Sequence, residues 1–325
     1  MGTTAPTPPA ATMRGGSGRV GDTIFEWMCR SAGILVLLLL GGIIVTLFIG
    51  GLPALREFGL PFVWSTAWDP VEGRERFGAG VAIVGTIMAS LLAIIMAVPL
   101  AFGVAFFLTE LAPPWIKRPI GTAIELLAAV PSIIFGLWGL FVVVPIVQTY
   151  IQLGTIGETL GELPLIGFLF TSNSFTGTSL FAAALVLAIM ILPFIAATMR
   201  DVFEQVPPVY KESAYALGAT RWEVVRNVVL PYTRTSVVGG IMLGLGRALG
   251  ETMAVTFVIG NANRIATSIF DPTTTIASVV AMEFPESLQG GLQQSSLLLL
   301  GFLLFVISFV VLATSRYLLR SKLKA

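Results

Sequence analysis

A chain of 325 residues that is 55% hydrophobic and only 11% charged, with a mean hydropathy of +0.90, cannot be a soluble globular domain, where charged residues make up about a quarter. A net charge of +1 gives no basis for nucleic-acid binding, and the complete lack of histidine excludes histidine metal sites and histidine general bases. The single cysteine, Cys29, cannot close an intramolecular disulfide.

The apolar runs are broken by Gly and Pro, not by alternating polar residues, so they predict membrane-spanning helices rather than a lipid-facing β-barrel. Residues 1–30 read as a tail, rich in Thr, Pro, Ala and Gly up to residue 23, without apolar period and expected to be disordered. The first span is predicted at 31–50. Its apolar core exceeds a signal-peptide h-region, and no small-x-small cleavage site follows. Residues 51–80, with Pro53, Pro61, Trp64, Trp68 and Pro70, suit an interfacial loop. Further spans are predicted at 81–108, 120–146 (interrupted by Pro131 and Pro145), 180–198, 236–260 and 295–314, and the remaining 31–325 forms one transmembrane domain. Glu125 falls inside the span at 120–146, within reach of a base such as Arg118.

Orientation follows from basic residues near span ends, which resist translocation. One side carries fourteen Lys and Arg and the other four, with Arg247 inside a span. Both termini and the stretch 199–235 are therefore expected in the cytoplasm.

Within that stretch, Pro208–Leu217 reads as a short helix stopped at Gly218, the residue suited to a left-handed helix end. Thr220 and Glu223 then form a capping box that opens a second helix. Two short helices at an angle make either a knob that fits a groove on a partner or a hairpin lying on the membrane; charge and caps do not choose between them.

The residues Glu212, Ala214, Gly218 and Leu230-Pro231 keep the spacing Glu-x-Ala, three residues, Gly and, twelve residues on, Leu-Pro. This resembles the EAA loop of bacterial ABC-importer permeases, with Ser213 in place of the first Ala and Val228 where Ile is frequent. Two longer runs, ALGATRWEVVRNVVLPYTRTSVVGGIMLGLGRALGETMAVTFVIGN from Ala216 and ELLAAVPSIIFG from Glu125, resemble the phosphate permeases of PstC type. The resemblance implies an all-α membrane protein with six transmembrane helices and a type I ABC-importer permease fold. It further implies a coupling segment at about 207–231, with Glu212, Ala214 and Gly218 docking an ATPase. The implied partners are a PstA-type second permease, a PstB-type ATPase dimer and a PstS-type binding protein, besides membrane lipid.

An arginine in mid-membrane costs roughly 2.5–3.5 kcal/mol or more. On a continuous helix, Gly240, Gly244, Arg247 and Glu251 fall at i, i+4, i+7 and i+11, one stripe. The two glycines would let another helix pack closely, turning the charges toward protein or a watery path. Arg247 then offers a planar cationic fork to an oxyanion, with Glu251 holding the fork or limiting how tightly the anion binds. The competing reading is an ion pair that fixes packing alone, though a cation N-terminal to its acid is the less favourable order for helix support.

No G-x-x-x-x-G-K-[ST] loop and no catalytic constellation is present. The chain is expected to be a conduit and not an enzyme, with ATP and Mg on a partner subunit. The predicted function is phosphate import. Sulfate or molybdate permeation, or an ATP-independent transporter or channel, are the alternatives.

Overall fold

The computed structural model describes residues 18–71, 73–154, 159, 161–162, 167–171 and 174–321. Contacts divide the chain into residues 1–46 and 47–325. Among the described residues six helices are long and apolar enough to cross a membrane.

Helix α1 runs over Gly18–Phe58, so residues 18–30 are helical and not a tail. Proline stops at Pro9 in the tail, and the Glu26–Arg30 pair, spaced i,i+4, supports the added turns. Residues 1–17 lie outside the described residues. At its other end α1 passes through Pro53 into the expected loop. The loop that follows forms a hairpin of β1 (Trp68–Asp69) and β2 (Arg76–Phe77), pairing Trp68 with Phe77.

Helix α2 spans Gly80–Leu111, its last residues, Phe107–Leu111, wound as a π-turn. Along it Gly85, Ala89, Ala93, Ala97, Ala101 and Ala105 recur at every fourth position, and all are buried. This small-residue row lets α5 (Leu180–Glu204) approach closely, and α2 with α5 is the most extensive helix pair in the molecule. The opposing face of α5 supplies Val186, Leu187, Met190 and Ile191, all at the centre of the larger apolar core.

The span expected at 120–146 is corrected. Helix α3 covers Pro114–Ala128, the chain breaks at Ala129–Pro131, and α4 begins afresh at Ser132 and runs to Gln152. Pro131 has no N–H for the preceding turn and forces Val130 out of the helical region, so the kink expected there is a full break. Further along α4, Pro145 removes the donor for the Phe141 carbonyl, and residues 139–143 relax into a π-turn. Glu125 lies on α3, outside any span, and pairs with Arg200 of α5 at 2.7 Å and not with Arg118.

Residues 261–294, between the last two predicted spans, contain a further helix, α9 (Ile276–Glu283), opened by a Thr275–Ser278 capping box. It is tied to α2 where Ile276 N–H donates to Thr86 Oγ1 at 2.9 Å. It is tied to the hairpin where Trp68 Nε1 donates to both Glu283 carboxylate oxygens at 2.8 Å. The last helix, α10, extends over Leu292–Ser321, longer at both ends than the expected 295–314.

Candidate translocation and coupling site

Two short helices were expected in the coupling segment, and one is found. Helix α6 covers Pro208–Ala216 and ends at Gly218, whose φ of +86° is the left-handed geometry that glycine adopts without strain. The capping box is present: Thr220 Oγ1 accepts the Glu223 N–H, while Glu223 Oε2 accepts the Thr220 N–H at 2.7 Å. What it opens is no separate helix but the first turn of the fifth span, α7 (Arg221–Leu249). Pro231 deprives the Asn227 carbonyl of its donor, and residues 225–229 widen into a π-turn without ending the helix. Glu212 is exposed on α6, Ala214 is half-buried against the core, and Gly218 is exposed at the turn. Losing the cap in Thr220→Ala is expected to cost about 1 kcal/mol, seen as a lower unfolding temperature of the purified protein.

The span expected at 236–260 is likewise corrected to Arg221–Leu249, followed by a break at Gly250–Thr252 and a short helix α8 (Met253–Val258). Gly240 and Gly244 are buried. A Cβ on either would stand 2.7 Å from α5, against Thr198 and Ile195 respectively. Both therefore permit the close α5–α7 contact.

Arg247 lies in the last turn of α7, with its side chain exposed. Glu251 lies beyond the end of that helix, so the single stripe stops at Arg247. The half-buried Glu251 accepts the Ala254 N–H on Oε1 at 3.2 Å, satisfying one of the free donors at the start of α8. No ion pair joins it to Arg247. The acid that would have neutralised the guanidinium instead helps cap the next helix, and the cation stands at the negative end of the α7 dipole. Among the described residues no three His, Cys, Asp or Glu side chains gather as a metal site.

The half-buried ion pair between Glu110, at the end of α2, and Lys211, on α6, is not signalled by the sequence; its Nζ–Oε1 distance is 2.6 Å. A further ionic cluster, Lys117–Glu204 at 2.9 Å and Arg200–Glu125, lines a cavity of about 520 Å³ between α3 and α5.

Residues 97–324, which contain α3 to α8 and both charged sites, match the family described as binding-protein-dependent transport system inner membrane component. The chain belongs to that family. Among its relatives, the phosphate transport system permease protein PstC of Pasteurella multocida is 56% identical over 92% of this chain and 91% of its own. The protein of that name from Mesorhizobium japonicum is 54% identical over 92% and 90%. PstC 2 of Mycobacterium tuberculosis is 41% identical over 96% and 95%. Among solved structures, a bacterial alginate ABC transporter in complex with a periplasmic protein superposes with a TM-score of 0.57, covering 93% of this chain and 96% of its own at 16% identity. The inward-facing MetNI methionine ABC transporter gives 0.52, covering 74% and 94% at 16% identity. At such identities these two likenesses speak for the fold alone, that of an ABC-importer permease. The chain is a multi-pass inner-membrane permease, mostly helical, with six span-length helices among the described residues.

Proposed function

We propose that this permease carries inorganic phosphate into the cytoplasm as one of two membrane subunits of an ATP-driven importer. The reading is supported by the PstC relatives and carried by one observation: an exposed arginine, without an ion partner among the described residues, lies in the last turn of the fifth span-length apolar helix. A guanidinium left unpaired there attracts a counter-anion, and it presents parallel donors matched to phosphate oxygens. Glu251 then acts beside the path, with its carboxylate at the α8 start limiting how strongly the anion is held, and not as a fixed partner of Arg247.

The remaining assignments follow from that reading. The excess of Lys and Arg on one side places both termini and α6 in the cytoplasm. Glu212, Ala214 and Gly218 meet a PstB-type ATPase dimer, which supplies the ATP and Mg site. A PstA-type subunit completes the membrane pair, and a PstS-type protein delivers phosphate from outside. Closure of the ATPase dimer moves α6 and switches the path beside Arg247 between outward and inward access.

Radiolabelled phosphate and sulfate uptake, compared in cells with and without the gene, tests the assignment. Phosphate uptake is expected to fall on deletion and return on complementation while sulfate uptake stays level. Loss of sulfate uptake with phosphate unchanged would overturn it.

A further inference from the structure

The pair formed by Glu110 and Lys211 differs from every other ion pair among the described residues. Its side chains are 8% and 18% exposed, whereas each of the others has at least one exposed partner. It joins elements about a hundred residues apart, the π-turn that ends α2 and the middle of α6. The same ammonium reaches the Phe203 carbonyl near the end of α5 at 3.5 Å. Glu110 is also held through its backbone, since Arg221 Nη1, at the first residue of α7, donates to the Glu110 carbonyl at 3.3 Å. Beside this point Trp222 of α7 sits edge-on to Phe102 and Phe106 of α2 at centroid distances of 6.4 and 6.1 Å. One residue thus contacts both the coupling helix and the root of the helix that carries Arg247.

Two features make packing an incomplete account of this pair. Helix α6 has no buried residue, so little apolar contact holds it to the bundle. In addition, burying two charges costs desolvation that their attraction barely returns, and an apolar pair of similar volume would hold the same elements at least as firmly. What an apolar contact lacks is direction. It lets its faces slip or turn under load, whereas a charge-assisted hydrogen bond fixes the distance and orientation of its two groups.

We infer that Glu110 is a positioning residue which, by gripping Lys211, makes α2 and the start of α7 follow the coupling helix when it is pulled as well as when it is pushed. The inference rests on the proposed function, because it needs a motor that moves α6.

The test uses the complete transporter reconstituted in liposomes, reading ATP hydrolysis and phosphate uptake together for E110Q, the apolar pair E110L/K211M and the reversed pair E110K/K211E. The apolar pair guards against simple misfolding, since such replacements are commonly neutral or stabilising. For E110Q and E110L/K211M, co-purification of the subunits and ATP hydrolysis are expected to persist while uptake drops about tenfold, the scale of a coupled charged contact. The reversed pair is expected to regain most of the uptake. Uptake in E110Q near that of the unaltered complex overturns the inference. So does recovery in the apolar pair equal to that in the reversed pair, since the contact is then packing alone. An unaltered complex that hydrolyses ATP but takes up no phosphate overturns the proposed function, a result distinct from both, and the inference falls with it.

Discussion

Arg247→Ala is expected to abolish most phosphate uptake while leaving the amount of protein in the membrane and its co-purification with partner subunits unchanged. The side chain is exposed at the last turn of α7 and forms no ion pair among the described residues, so its removal leaves no buried acid behind. Hydrogen bonds to a charged group are worth about 1.5–3 kcal/mol each, so losing the fork should reduce uptake roughly 10- to 100-fold. Arg247→Lys keeps the charge but replaces a planar fork by a point charge, and should fall between the two. Initial-rate uptake of labelled phosphate in cells matched for expression measures the series. Uptake in Arg247→Ala within a factor of about two of the unaltered protein, less than one charged hydrogen bond is worth, would remove Arg247 from the path.

The second large effect is on folding and falls at Gly85. A Cβ there would overlap the Thr274 carbonyl oxygen. The obstacle is backbone, and it has no freedom to retreat: Ile276 N–H donates to Thr86 Oγ1, and Thr274 Oγ1 lies 3.0 Å from Ser278 Oγ. Overpacking of this kind costs about 1–3 kcal/mol, and a branched side chain falls at the upper end. Gly85→Val should therefore lower the unfolding temperature in detergent by several degrees, at roughly 2–4 °C per kcal/mol for a chain of this size. Gly103 on the same helix has nothing within 4 Å of its would-be Cβ. Gly103→Ala should leave stability level or raise it by about 1 kcal/mol. Equal unfolding temperatures for the two variants would show that α2 does not rest on the 274–276 backbone as closely as described.

Local chemistry made part of this architecture readable in advance. The left-handed turn at Gly218 and the Thr220–Glu223 box each depend on a few neighbouring residues, and they stand where the side chains indicate. The break after α7 does not announce itself in that way. Gly239, Gly240, Gly244, Gly246 and Gly250 are equivalent on paper, and only the last ends the helix, where the Glu251 carboxylate caps the next one. A capping acid and an ion-pairing acid are the same residue type, so the i,i+4 spacing to Arg247 suggested the wrong partner. The early start of α1 was hidden by the composition of the tail before it, and α9 by the polar residues on either side. The pairing of Glu110 with Lys211 is not legible, because nothing in a linear chain brings positions about a hundred residues apart together. A carboxylate directly at the end of an apolar run, with no base three or four residues away on its own helix, is the one hint that it has a distant partner.

The alanine row of α2 has a mechanical consequence. Alanine has no side-chain rotamers, so a surface made of it offers nothing to interlock and no rotamer barrier to cross. The most extensive helix contact among the described residues is in this sense also its smoothest, one that sets few rotamer barriers against a small shear of α5 along α2. Larger residues placed on that row would overpack it, as at Gly85, and prise the two helices apart.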